Sequence, residues 1–200
     1  MNDSAAKPIR ALFRLLIKVC LVLWFACVCL SSVAHATTIA KMSVAKMSQA
    51  SRAIARVRCL SNSVIWDSGE IWTLTTFEVQ QTWRGALPAE ITVRLLGGRM
   101  AGITSTVSGV PRFRPGEEAV LFLEPASPGH FTVVAWQQGT FHIGHDRATG
   151  EETVTQDTAY FPAFNPRTRR FDSGGIVSMT LANFKAQIEA AVSAGVGVTK

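Results

Sequence analysis

The stretch Ala55–Trp83, ARVRCLSNSVIWDSGEIWTLTTFEVQQTW, decides the fold. On both sides of Asp67-Ser68-Gly69, β-branched, aromatic and apolar residues alternate with polar ones, the period of half-buried strands. The spacing predicts strands over Ala55–Trp66 and Ile71–Trp83, joined by a three-residue hairpin loop with Gly69 in the left-handed position. Such a loop sets Ile65 opposite Ile71, Cys59 opposite Phe77 and Val57 opposite Val79 on one face, and Arg58 opposite Glu78 on the other. Apolar pairs and an ion pair thus agree on one register. Strand parity then puts Trp66 and Trp72 together on the outer face beside the turn, with Val64 and Leu74 nearby.

Outward from this hairpin the signals remain mostly those of short strands. Arg84-Gly85 and Leu87-Pro88 make a turn into a third strand in which Ile91, Val93 and Leu95 alternate. Gly97 to Pro115 holds four glycines and two prolines and reads mostly as loop, a length uncommon in a compact domain unless it serves a function. Pro115-Gly116 suits the centre of a type II turn and leads into Ala119–Leu123, a continuous apolar run expected to be central. Further strands are expected over Phe131–Trp136, over Thr140–Ile143 and around Thr153–Thr155. Helical spacing of Met47, Ala50 and Ile54 predicts a short helix over Val44–Ile54. A second helix follows Thr180 as N-cap, with Leu181, Phe184, Ile188 and Val192 on one stripe and Gly195 as its stop.

The first 36 residues carry an address instead of a fold. Lys7, Arg10, Arg14 and Lys18 precede the apolar run Val19–Leu30, and Ala34-His35-Ala36 is the small-x-small pattern of a cleaved export signal. Twelve apolar residues fall short of the roughly 20 that a spanning helix needs, so no membrane span is expected after cleavage. Residues 1–36 are therefore read as signal peptide and residues 37–200 as one domain, periplasmic or extracellular. Cys20, Cys27 and Cys29 leave with the signal, and Cys59 alone cannot make an internal disulfide. With neither disulfides nor an Asn-x-Ser/Thr acceptor, the mature chain is expected to be bacterial. Removing the four basic residues and Asp3 lowers the net charge from +6 to +3, which does not favour a nucleic-acid partner.

The order FEVQQTWRGALPAEITVRLLGG (Phe77–Gly98), VSGVPRFRPGEEAVLFLEP (Val107–Pro125) and TVVAWQQGTFHI (Thr132–Ile143) resembles a group of uncharacterised exported bacterial proteins over residues 45–190. The same alternation of strands with Arg-Gly and Pro-Gly turns is more distantly similar to netrin-like modules and tissue inhibitors of metalloproteinases. This resemblance implies a mainly β domain: a small closed or partly open antiparallel barrel, OB-like, with a short N-terminal and a C-terminal helix. It transfers no activity. The inhibitors chelate zinc through a disulfide-bonded N-terminal Cys, where this chain offers Thr37.

Catalytic patterns are absent from the sequence. There is no Gly-x-Ser-x-Gly elbow, His130 sits in a Pro-Gly turn, and Cys59 is expected to be a core thiol facing Phe77. Glu117-Glu118 and Glu151-Glu152 are adjacent pairs that point to opposite faces of a strand. His142, His145 and Asp146 are the residues closest to a divalent metal set, and a metal carrier or metal-assisted hydrolase is the enzymatic alternative they would support. His142, between Phe141 and Ile143, is expected to point outward. The reading favoured is a non-enzymatic binding module without a cofactor, using Trp66 and Trp72 together with Arg112, Phe113 and Arg114 of the long loop. Export directs attention to an exported protein or a cell-envelope glycan as partner. An exported protease inhibitor is a further alternative, and Arg167-Thr168-Arg169-Arg170 is a second basic run.

Overall fold

The computed structural model describes residues 17, 18, 20, 21, 40–158, 162–165, 168–173 and 175–196. The chain divides into two units, residues 1–37 and 38–200. Of the first, Ile17, Lys18, Cys20 and Leu21 are helical and exposed, and the rest of the segment read as an export signal, with the Ala34-His35-Ala36 pattern, lies outside the described residues. Among the described residues no helix is long and apolar enough to cross a membrane.

The second unit is mainly β. Helix α1 (Val44–Ala50) starts at Ser43, whose Oγ accepts from the Lys46 N–H at 3.2 Å, and buries Met47. It stops before Ile54, which belongs to the next strand, because Ser51 is already extended. The sheet elements are β1 (Ala53–Asp67), β2 (Glu70–Arg84), β3 (Glu90–Leu96), β4 (Gly98–Met100), β5 (Ile103–Ser105), β6 (Glu118–Ser127), β7 (His130–Val133), β8 (Thr140–His145) and β9 (Glu152–Gln156). After them come β10 (Pro162–Asn165), β11 (Arg170–Ser173) and β12 (Met179–Thr180), and α2 (Leu181–Val196) closes the unit. The expected strand through Trp136 ends at Val133, because Ala135 and Trp136 take up left-handed backbone and enter a 3-10 turn over Trp136–Gly139.

The main sheet runs β1-β2-β3-β7-β6-β8-β9-β12, and β1 also pairs with β6, so that β1, β2, β3, β7 and β6 form a ring of pairings. Side chains from all five ring strands meet in one core, among them Val57, Phe77, Val93, Leu121 and Val133. Alternate residues of β1, β6, β8 and β9 face the other way. There Ile54, Phe122, Phe141 and Val154 form a second core, which Met47 of α1 and Phe184 and Ile188 of α2 cover. The predicted stripe of α2 is thus its packing face, and Thr180 Oγ1 accepts from the Asn183 N–H at 3.3 Å as its cap. The helix continues through Gly195.

The β1–β2 hairpin departs from expectation at its tip. Asp67 pairs with Glu70, leaving a two-residue turn in which Ser68 (φ 53) and Gly69 (φ 84) are both left-handed, the backbone of a type I′ turn. Ile65 consequently faces Trp72, and not Ile71. A bulge at Leu60 shifts the ladder by one residue, so that Cys59–Phe77, Arg58–Glu78 and Val57–Val79 pair in register as expected, although the ion pair of Arg58 is made with Glu118 and not with Glu78. All side chains of β1 beyond the bulge lie on the face opposite to the one assigned by simple alternation. The second departure is the Gly97–Pro115 segment. It contains the β4–β5 ribbon, and Val110 and Phe113 are buried in the ring core.

Candidate functional site

The ring core gives way to a polar cleft at the far end of the hairpin. On β2 the inward positions run Phe77, Thr75, Thr73 and Ile71, and across the bulge β1 presents Asn62 opposite Thr75 and Val64 opposite Thr73. Polar side chains therefore occupy positions whose parity would ordinarily be apolar. Thr75 is fully buried and donates to Asn62 Oδ1 at 2.7 Å, while Asn62 Nδ2 donates to the Phe113 carbonyl at 2.9 Å. Thr73, also buried, donates to the Gly97 carbonyl at 2.7 Å. These bonds pin the long segment over the hairpin.

The segment can lie this close because of Gly97 and Gly98. A Cβ on Gly98 (φ 154) would stand 2.9 Å from Thr73 Oγ1 and 3.0 Å from Val64 Cγ1; one on Gly97 (φ 89) would stand 2.6 Å from Arg112 Nη2. Between hairpin and ribbon lies a cleft of about 370 Å3, bordered by Asn62, Thr73, Arg99, Thr104, Thr106 and Arg112. Arg112 Nη1 donates to Thr73 Oγ1 at 3.0 Å and to the Gly97 carbonyl at 3.2 Å, and Nη2 donates to the Leu96 carbonyl at 3.1 Å. All three acceptors are neutral. Arg112 remains exposed on one side, and partial burial of the guanidinium lowers its pKa from the ordinary arginine range.

The predicted binding residues separate. Trp66 is paired with Ile71 and Trp72 with Ile65, so the two indoles are carried on opposite faces of the hairpin and do not form one outer patch. Trp66 is 56% exposed at the tip. Trp72 lies on the outer face beneath Arg94, whose guanidinium carbon sits 4.0 Å from the ring centroid, and Arg94 Nη2 donates to Asp67 Oδ2 at 2.5 Å. Phe113 is a core residue, edge-on to Phe77 with centroids 4.9 Å apart. Arg114 is exposed beyond it, and of the three consecutive residues Arg112 and Phe113 border the cleft while Arg114 does not. Arg169 and Arg170 are exposed, while Arg167 lies outside the described residues.

The alternative metal set does not converge. His142 and His145 both border a shallow pocket beside Gly116, Glu117 and Glu118, yet three residues apart on a strand they are carried on opposite faces. His142 shares the face of Ala119 and lies 5.9 Å from the Phe113 ring, with Nε2 3.5 Å from Asp157 Oδ1. The expectation that it points away from the protein fails because its neighbours Phe141 and Ile143 pack into the helix-covered core, which leaves His142 on the ring side. Asp146 is occupied by its own loop, accepting from the Ala148 and Thr149 N–H groups at 2.9 Å each, and these bonds lower its pKa. Among the described residues no three His, Cys, Asp or Glu side chains are placed to share an ion. Cys59 lies in the ring core opposite Phe77. Burial, with Glu117 adding to it, raises the thiol's pKa, the reverse of what a nucleophile needs.

One cluster was not anticipated from the sequence. Glu118 accepts from Arg56 Nη2 at 2.6 Å, Arg58 Nη2 at 2.6 Å and Gln80 Nε2 at 3.1 Å, and Arg56 also bonds Glu152 at 2.7 Å. Burial opposes ionisation of Glu118, but these donors more than offset it and hold its pKa down at about 2. The network rivets β1, β2, β6 and β9 together on the outer face of the sheet. The residues are separated by up to 96 positions in sequence, so no local spacing marks them. The cleft did leave a signal, namely Asn62, Thr73 and Thr75 among the strand positions of the hairpin. Among known protein families and curated proteins, none matches the chain.

Proposed function

We propose that the chain is an exported, non-enzymatic binding module that holds its ligand in the cleft between the distal β1–β2 hairpin and the β4–β5 ribbon. The five-strand ring is read as a small OB-like barrel with helical additions, a fold type that binds ligands on one strand face and its overlying loops. The observation that carries the reading is the change of character along one sheet face. The inward positions are apolar through Val57, Cys59 and Phe77, then turn to Asn62, Thr73 and Thr75 where the cleft begins. A core would be more stable with apolar residues at these sites, and such departures concentrate where a protein binds something. The volume falls within the range of small-ligand sites.

The test compares the chain recovered from the exported fraction with a Thr104→Trp variant. Thr104 is exposed on β5 and borders the cleft, so an indole there fills it without entering the core. Mass spectrometry of the recovered chain reads the N-terminus, for which Thr37 is expected. Crosslinked capture from the same fraction then reads binding. A component retained by the native chain and lost by the variant supports the cleft; equal retention by both refutes it.

A further inference from the structure

Resting on that reading of the cleft, we propose that its ligand carries a carboxylate, gripped side-on by Arg112 with Arg99 as a second cation. Among the described residues that line the cleft, Arg112 is the charged group held by hydrogen bonds to its wall. Its Nη1 and Nη2 bonds to Thr73 Oγ1, Gly97 O and Leu96 O hold the guanidinium plane in place, yet satisfy it only with neutral acceptors. The charge is not neutralised by any carboxylate among the described residues, and the cleft lining contains no Asp or Glu. By contrast Arg56, Arg58 and Arg94 each meet a carboxylate within 2.7 Å.

Geometry narrows the ligand further. Among the described residues no acceptor meets Arg112 Nε, and Nη2 uses one of its two hydrogens on Leu96 O. The Nε–H of an arginine and the Nη2–H beside it point in parallel from one edge of the guanidinium, at the spacing of the two oxygens of a carboxylate, and this edge is the one assigned to the ligand. An arginine pre-set in this way loses little side-chain freedom when an anion arrives, and its partial desolvation strengthens the attraction. Arg99 on β4 is exposed, borders the same cleft and has no ion-pair partner among the described residues, so it adds positive potential at the mouth. Thr104 and Thr106 supply hydroxyls for the ligand's neutral polar groups.

Titration calorimetry on the exported chain, with sodium glucuronate, methyl glucoside and inorganic phosphate as probes, tests the assignment, and 15N NMR of the arginine Nε–H groups locates the contact. Glucuronate is expected to bind, to shift the Arg112 Nε–H resonance, and to bind at least about tenfold more tightly than the neutral glucoside. Arg112→Lys keeps the charge but removes the fork and is expected to weaken binding about tenfold or more. Because Arg112 also anchors the ribbon, Arg99→Gln provides the second reading: a loss of about threefold to tenfold that diminishes as salt is raised, with an unchanged melting midpoint. Equal binding of glucuronate and glucoside, or tighter binding of phosphate, overturns the carboxylate assignment; if Thr104→Trp abolishes that binding, the cleft reading survives. Absence of any shift at Arg112 with glucuronate overturns the proposal, and glucuronate binding that survives Thr104→Trp overturns the cleft reading with it.

Discussion

Glu118→Gln tests whether the outer-face charge network, and not the apolar cores alone, fixes how the ring strands meet. The substitution keeps the side chain's shape and removes the charge on which Arg56, Arg58 and Gln80 converge. In the folded protein those donors outweigh the cost of burial and depress the Glu118 pKa from 4.5 to about 2. At about 1.36 kcal/mol per unit, that difference corresponds to roughly 3 kcal/mol of stabilisation at neutral pH. Arg58, with 48% of its side chain exposed, is screened by solvent. The expected loss is therefore about 1–2 kcal/mol, or about 3–7 °C in melting midpoint for a domain of this size.

The pH dependence separates a lost charge from a packing fault. A carboxyl whose pKa is depressed on folding stabilises the protein fully above its unfolded value and ceases to do so as pH falls through the folded one. The gap between native chain and variant is thus expected to be constant from pH 8 down to about pH 5.5, then to close between about pH 4.5 and pH 2. Glu152, whose pKa is also lowered by the Arg56 hydrogen bond, is present in both proteins and cancels to first order. Urea unfolding followed by tryptophan fluorescence at pH 7, 5, 3.5 and 2.5 measures this gap. Equal stability at pH 7, or a gap unchanged at pH 2.5, would refute the reasoning.

The core and the turn give further outcomes. Phe113→Ala removes a ring that is 6% exposed and packed edge-on to Phe77, and is expected to cost about 3–4 kcal/mol in urea unfolding. Ser68→Asn places Asn-Gly in the type I′ turn, where φ 53 at position 68 suits Asn better than Ser, and is expected to stabilise by about 0.5 kcal/mol. Gln138→Ala removes the side chain that accepts from the Met42 N–H at 2.7 Å and donates to the Ala40 carbonyl at 3.0 Å, so amide exchange at Met42 should accelerate well before global unfolding. Trp72→Ala should destabilise by about 2 kcal/mol through lost packing and loss of the Arg94 stack, whereas Trp66→Ala should change stability by less than about 0.5 kcal/mol.

What was legible in the sequence follows from the range over which each signal acts. The middle of the hairpin was readable because Val57–Val79 and Cys59–Phe77 are apolar pairs whose burial punishes a slip by one residue. The tip was not, because the turn and the bulge at Leu60 are compensating shifts. One residue fewer in the loop and one more in β1 leave the inner pairs unchanged but invert every β1 side chain between them. That inversion moves Ile65 to the outer face and separates Trp66 from Trp72. A bulge of this kind has no fixed residue signature outside glycine, and Leu60 gave none.

The cleft shows the same lesson in the opposite direction. Glycine and proline density marked residues 97–115 as loop, and that chemistry is real, since Gly97 and Gly98 admit the close approach of ribbon to hairpin. It concealed the apolar anchors Val107, Val110 and Phe113, spaced by three, which carry the segment back into the ring core. With those anchors in place the segment is a fixed wall, not a free loop, and Arg112, next to Phe113, is held at the border of the cleft. Loop composition and core spacing therefore have to be read together. The glycines permit the wall to approach, the Val and Phe side chains hold it, and Asn62, turned inward by the bulge, joins Thr73 and Thr75 of β2 to give it something other than a hydrophobic core to close upon.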